Sequence, residues 1–245
     1  MKRTLGSLVL LVALASPALA QGRVAFDTET LDLGRIAEAD GPVHRTFRFT
    51  NAGDAPLRLT SVEAACGCTT PSWTSDPVAP GGSGTVEVAY DPAGRPGDFE
   101  KAVFVVAEGA DAVTLRISGV VRPALAETGV PLGSLAFDRV EADGGEAPAG
   151  EPLQTAFQFA NVGDRPVRIE RVEAPDGVDV TSPPGPIFPD RIGGLFVSIA
   201  DPAALAIDGA VSVPLVLWTT DADEPVKQVR VIGRVGPPRE IPDGE

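Results

Sequence analysis

The chain is poor in most of the side chains that do chemistry. Its 245 residues hold one histidine, His44, two cysteines, Cys66 and Cys68, and one methionine, Met1. Its only lysines are Lys2, Lys101 and Lys227, and its arginines are scattered singly against a formal net charge of −14. Without clustered basic groups, a nucleic acid or an anionic membrane surface is repelled, not held. A serine-hydrolase triad would need His44 as its base, and nothing marks a nucleophile for it. There is no G-x-S-x-G elbow, glycine-rich phosphate loop or paired-histidine metalloprotease motif. A closed zinc shell would need ligands from a partner chain, and loss of Met1 with a leader removes the thioether that suits copper. The acidic clusters Asp221-Ala222-Asp223-Glu224 and Glu141-Ala142-Asp143 lack the ordered spacing of a calcium loop and read as solvated segments. The expectation is a non-enzyme without a cofactor, its acidity serving solubility.

Apolar runs of membrane-spanning length are missing as well. The nearest opens the chain. Lys2 and Arg3, the apolar run 8–15 and the small residues Ala18-Leu19-Ala20 have the order of a signal peptide over residues 1–20. No cysteine follows that run, so neither a membrane span nor a lipid anchor is expected. Cleavage after Ala20 would release a protein starting at Gln21, more negative by two charges, into a periplasm or the medium. What remains suffices for two domains of about 100 residues each.

The chain repeats itself at an offset of domain size. The stretch 47–58 (FRFTNAGDAPLR) falls on 157–168 (FQFANVGDRPVR), and Val62-Glu63-Ala64 falls on Val172-Glu173-Ala174. At the same offset Gly84 meets Gly194, and Asp91-Pro92 meets Asp201-Pro202. A match of this span means two copies of one domain. Asn51 and Asn161 are the only asparagines, and each is followed by x-Gly-Asp. Asn and Gly tolerate positive φ, so this pattern reads as turn chemistry at a strand-to-strand corner.

Residues 43–50, 57–62, 86–90, 99–106 and 113–121 are short runs rich in β-branched and aromatic types. Val86, Val88 and Tyr90 alternate, as do Val113, Leu115 and Ile117, which is the pattern of strands with one buried face. Phe104-Val105-Val106 lacks alternation and reads as a central strand. No 3.6-residue period is sustained. The fold class expected is all-β: two tandem immunoglobulin-like β-sandwich domains after the cleaved signal peptide. The first domain is placed at 24–121, a short proline-flanked connector at 122–131, the second domain at 132–235, and a disordered acidic tail at 236–245.

Cys66-Gly67-Cys68 is the one motif with chemistry, and the second copy has no counterpart. It follows a strand and is expected on a loop at one pole of the sandwich. A turn at Gly67 permits a disulfide between Cys66 and Cys68, and export favours the oxidised form. A structural staple or packed thiols, a redox pair and part of a soft-metal site all remain open. The redox reading lacks the Cys-x-x-Cys spacing and the helix N-terminus of the usual dithiol enzymes. Trp73 either covers this loop or presents an exposed recognition surface, with cover favoured because aromatic rings usually bury most of their area. Trp218 reads as core or strand face, and His44 as a strand residue at the surface or rim.

The run 65–73 (ACGCTTPSW), with Pro80-Gly81, Tyr90-Asp91-Pro92, Arg95-Pro96-Gly97 and Phe99-Glu100-Lys101, resembles an exported bacterial family, the domain of unknown function 1573. Residues 31–36 (LDLGRI) are similar to its opening motif. The resemblance covers the first domain, while the second shares only the turn and the Asp-Pro corner. It implies an immunoglobulin-like module akin to major-sperm-protein and Hydin-type domains, whose relatives mainly bind other proteins. The functional expectation is a non-catalytic binding or structural module with a protein partner in the envelope or outside the cell. Its candidate contact loop is Cys66, Gly67, Cys68, Thr69, Thr70, Pro71 and Trp73, and exposed strand edges add a route by strand addition. The rival expectation is a periplasmic thiol-redox or soft-metal-handling protein using Cys66 and Cys68.

Overall fold

The computed structural model describes residues 21–239, so the expected signal peptide at 1–20 and residues 240–245 of the expected tail lie outside it. The first eight strands are β1 (Val24–Phe26), β2 (Thr30–Ala37), β3 (Val43–Asn51), β4 (Leu59–Ala64), β5 (Thr69–Trp73), β6 (Ser83–Tyr90), β7 (Gly97–Ala107) and β8 (Val113–Arg122). They form two sheets, β1-β3-β6-β5 and β2-β8-β7-β4. A helical turn, α1 (Leu125–Thr128), follows, and then β9 (Val130–Leu132), β10 (Leu135–Phe137), β11 (Glu141–Pro148), β12 (Leu153–Asn161), β13 (Ile169–Glu173) and β14 (Val178–Thr181). The series ends with β15 (Ile192–Ile199), β16 (Ala206–Ile207), β17 (Ala210–Thr219) and β18 (Val226–Gly236). These make the sheets β14-β15-β12-β10-β9 and β11-β18-β17-β13, with β16 paired to β17. The protein is all-β, built from immunoglobulin-like sandwiches.

Each sandwich closes over its own core. Phe47, Phe49, Val86, Val88 and Tyr90 from one sheet meet Val103, Val105, Leu115 and Ile117 from the other. Phe157, Phe159, Leu195 and Val197 meet Val213, Leu215, Val229 and Val231 in the same way. Period-2 alternation produces this directly, because successive side chains of a strand point to opposite faces. Burial of each such side chain contributes about 1.5–3 kcal/mol. β7 does lie inside its sheet, yet its faces alternate: Val103 and Val105 are buried while Phe104 and Val106 are exposed. The unbroken apolar run therefore marks an apolar outer face, not burial on both sides.

β2 and β11 pair in parallel with β8 and β18, and both ladders shift register at an Asp-x-Gly bulge. Gly34 (φ 68°) and Gly145 (φ 75°) supply the left-handed residue, and Asp32 and Asp143 accept their N–H groups at 2.8 Å each.

Several boundaries differ from the sequence reading. β9, placed in the connector, is an edge strand antiparallel to β10 in a sheet of the second sandwich. The connector also holds α1, and β18 runs through Gly236, a residue assigned to the tail. The constant offset also fails after β4. Phe49 faces Gly84 and Phe159 faces Gly193, so Gly194 is one place out, and so is Asp201-Pro202. Gly84 and Gly193 do the same job, since a Cβ at either would strike the phenylalanine opposite. Ala64 and Ala174 keep the original offset, whereas Thr69 and Val178 are equivalent through their pairing with Tyr90 and Ile199. The missing residue is thus in the corner between these points, which is the cysteine corner of the first copy.

Asn51 and Asn161 act differently from expectation, because neither has positive φ. Each is a buried hub. Asn51 Nδ2 donates to Ala55 O and Val78 O at 2.7 and 2.9 Å, and its Oδ1 accepts from Gly53 N at 3.0 Å. Asn161 repeats this with Arg165 O, Ile187 O and Gly163 N. The amide joins the turn after the strand to the segment that returns across it.

Candidate functional site

The cysteine corner is where the first sandwich changes sheets. β4 and β5 are edge strands of opposite sheets, and residues 65–68 carry the chain from one to the other. Ala65 N donates to Ala102 O at 3.0 Å on the β7 side, and Asp91 N donates to Cys68 O at 2.9 Å on the β6 side. Thr69 N closes the corner onto Cys66 O at 3.3 Å. The Sγ atoms of Cys66 and Cys68 are in bonding contact, with Cα atoms 5.4 Å apart, and Thr69 Oγ1 lies 3.9 Å from each sulfur. Cys68 and Thr69 are buried, Cys66 is half-buried, and Gly67 is exposed at the tip.

Only the first half of the expected contact loop is a loop. Thr69, Thr70, Pro71 and Trp73 belong to β5, since β-branched and aromatic residues fit a pleated edge. The backbone bonds from Asp91 N to Cys68 O and from Thr74 N to Thr85 O fix the hydrogen-bonding phase of the β5–β6 ladder. In that phase Pro71, opposite Val88, turns its nitrogen away from β6. Its missing N–H therefore costs the ladder nothing and removes a donor from the free edge, a common guard against indiscriminate strand pairing. Trp73 does not cover the corner. It stands at the far end of β5 opposite Val86, at the core rim, and is 36% exposed.

The second copy makes the same crossover from β13 to β14 through Pro175-Asp176-Gly177, with Gly177 at φ 81° and no cysteine. The fold can therefore turn this corner without sulfur.

Other candidate residues lie apart from the corner. His44 is an exposed residue of β3, its Nδ1 2.8 Å from Glu87 Oε1. Trp218 lies on the outer face of β17 beneath Arg171, whose guanidinium carbon is 4.9 Å from the ring centroid. No group of three or more His, Cys, Asp or Glu side chains that could hold a metal occurs among the described residues. No described helix is long and apolar enough to cross a membrane. A depression of about 840 Å³ lies at the opposite end of the sandwich around Gly53, Asp54 and Asp111.

One buried ion pair was missed from sequence. Asp221, read as part of a solvated cluster, accepts from the fully buried Lys227 Nζ at 2.7 Å. It also accepts from Ser134 N, Ser134 Oγ and Asp223 N. Burial pushes the Asp221 carboxyl up, but the bonds from Lys227, Ser134 and Asp223 together hold its pKa below the ordinary value. The β18 pattern held the signal: Lys227 occupies the inward phase shared with Val229 and Val231. Tyr90, placed inward by its alternation with Val86 and Val88, is fully buried. Its ring stacks on Phe99 at 4.1 Å, and its hydroxyl has no hydrogen-bond partner among the described residues. Burial raises its pKa, Arg95 opposing and Asp91 assisting.

Tandem immunoglobulin-like sandwiches, one turning its corner through a cysteine pair and one without, are the class these features define. Residues 24–121 match the model of the family described as "Protein of unknown function (DUF1573)", so the family likeness covers the first sandwich and stops at its last strand. No curated protein matches the chain. Among solved structures, a protein of unknown function from Porphyromonas gingivalis W83 is 14% identical, with a TM-score of 0.37 over 86% of this chain and 99% of its own. The CupB2 chaperone of Pseudomonas aeruginosa is 14% identical, with a TM-score of 0.30 over 84% and 98%. An endo-fucoidan hydrolase of glycoside hydrolase family 107 is 14% identical with a TM-score of 0.43; 87% of this chain is covered, but only 29% of the hydrolase. Likenesses this distant bear on neither activity nor partners.

Proposed function

We propose that the protein is an exported, non-catalytic binding module whose contact surface in the first sandwich is the Cys66–Cys68 corner with the adjoining strand β5. The observation that carries this reading is the comparison of the two copies. One crossover is closed by Cys66-Gly67-Cys68 and its equivalent by Pro175-Asp176-Gly177, so topology does not demand the cysteines. In an oxidising compartment the pair would be joined, which stiffens a corner with an exposed tip and lowers the entropy lost on binding. Trp73 adds an aromatic anchor of the kind that dominates interface energies. Pro71 shapes the contact as well. With one outward donor missing, side chains and the corner carry recognition more than an extended added strand does.

The test exchanges residues 65–68 for the sequence of residues 175–177 and separately makes Trp73→Ala. A partner is first identified by affinity isolation from the source organism's envelope and secreted fractions, and its binding to each variant is then measured by calorimetry. Circular dichroism checks that the exchange keeps the β-fold. The expected result is at least about a tenfold loss of affinity, or ~1.4 kcal/mol. Unchanged affinity in the folded exchange variant removes the corner from the interface. Intact-mass analysis with an alkylating agent, before and after a graded dithiol buffer, tests the redox rival. A Cys66–Cys68 bond that opens near the potentials of thiol oxidoreductases would shift the reading towards it.

A further inference from the structure

The two copies also differ in the turn that returns to β6 and β15. The first copy uses Val78-Ala79-Pro80-Gly81-Gly82, and the second uses Ile187-Phe188-Pro189-Asp190-Arg191. Their equivalence is set by hydrogen bonds. Gly81 N donates to Asn51 O and Asp190 N to Asn161 O, while Asn51 N donates to Gly82 O and Asn161 N to Arg191 O. Gly81 has φ 74° and Asp190 has φ 59°. Glycine adopts this left-handed conformation freely, whereas an aspartate there is strained and uncommon. The turn itself is well served by glycine, so something else holds Asp190 in place.

That something is the first sandwich. The Asp190 side chain is 7% exposed, and both its oxygens accept from Arg35 Nη2, at 2.8 and 2.6 Å. Arg35 belongs to β2, in the bulged segment after Gly34. The neighbouring replacement points the same way. Arg191 Nη2 donates to Asp98 Oδ2 at 3.1 Å, and its Nη1 lies 3.5 Å from Pro96 O. Gly97 (φ 98°) lets the guanidinium pass, because a Cβ at that position would overlap it. The connector is tied down beside this contact. Glu38 accepts from Gly94 N and Ala124 N at 2.9 and 2.8 Å, and α1 packs on β10 and β12.

We infer that Asp190 and Arg191 form a latch that docks the second sandwich on the first in one fixed orientation. The copy that carries the latch has an Asp-Arg pair where its sister has two glycines. The latch also grips the β6–β7 connection, whose other end, at Asp91 N, holds Cys68 O. The second sandwich is thus fastened to the same connection that supports the cysteine corner, so a partner at the corner meets a rigid two-domain body.

The test uses residual dipolar couplings from the purified protein, measured on the wild type and on the double variant Asp190→Gly, Arg191→Gly. Two glycines already fill the equivalent turn of the first copy, so the second sandwich keeps its fold, checked by an unchanged dispersion of its amide signals. Arg35→Ala, in the other sandwich, is an independent route to the same end. In the wild type, couplings from both sandwiches fit a single alignment tensor. In the double variant, and in the same direction for Arg35→Ala, the common tensor is lost and each sandwich requires its own. Two tensors in the wild type overturn the inference, and so does one tensor that survives the double variant.

Discussion

Replacing Lys227 by methionine should destabilise the second sandwich selectively, and the size of the effect follows from its surroundings. The ammonium is wholly buried and donates to Asp221 Oδ2 at 2.7 Å and Glu224 O at 2.6 Å. An intact buried pair adds little compared with well-packed apolar residues, but removing one partner strands the other charge at a cost of about 3–5 kcal/mol. Asp221 keeps its bonds from Ser134 and Asp223, so Lys227→Met belongs at the lower end, ~3 kcal/mol. Asp221→Asn strands the ammonium instead and belongs nearer ~5 kcal/mol. For a domain of about 100 residues the methionine variant should melt roughly 12–24 °C lower. The pair of changes together should cost less than the sum of the single ones, by at least about 2 kcal/mol. Trp218 lies in this sandwich beneath Arg171, so its fluorescence in a Trp73→Phe background reports the transition. The same pair predicts an acid limb. The folded Asp221 pKa is depressed, so its stabilisation is complete above the unfolded value near 3.9 and is lost as pH falls through the lower folded value. A loss under about 1 kcal/mol for Lys227→Met, or strict additivity in the cycle, would refute the reasoning.

Two further outcomes concern the first sandwich and the shared turn. Tyr90→Phe deletes a buried hydroxyl without a partner while keeping the stack on Phe99, so thermal unfolding should show a gain of about 1 kcal/mol; a clear loss would mean the hydroxyl is bonded. Tyr90 is the sole tyrosine, and its raised folded pKa means that stability holds below pH ~10 and falls as pH rises through the folded value. Absorbance at the phenolate band should therefore appear above the ordinary tyrosine range, and a titration at pH ~10 in folded protein would contradict its burial. Asn51→Ala and Asn161→Ala should each cost about 2–4 kcal/mol in their own sandwich, because each strands one carbonyl, Ala55 O or Arg165 O, and one amide, Gly53 N or Gly163 N, and removes a second bond to Val78 O or Ile187 O. Denaturant melts that spare either sandwich would show that its hub is dispensable.

Much of this architecture can be read from residue order. Period-2 alternation places Val86, Val88, Tyr90, Leu115 and Ile117 inward, and the core contains them all. The paired asparagines announce equivalent corners, although their role as buried amide hubs depends on carbonyls at Val78 and Ile187 that only folding brings near. Lys227 could have been found, since its phase along β18 is inward; its partner could not, because Asp221 looks like any acidic loop residue until Ser134 arrives from β9–β10. The cysteine corner was legible as a motif, but the extent of β5 and the exposure of Trp73 were not. Both depend on which strand borders the free edge.

The sequence by itself determined the duplication, the sheet-forming periodicity and the inward faces, because these are local properties of a chain whose side chains alternate every second residue. The tertiary structure alone decided which strands are edges, that one residue is missing at the second copy's corner, and that Asp190 and Arg191 reach Arg35 and Asp98. Those facts join residues far apart in the chain, and no local pattern encodes a meeting that only the closing of two sandwiches produces.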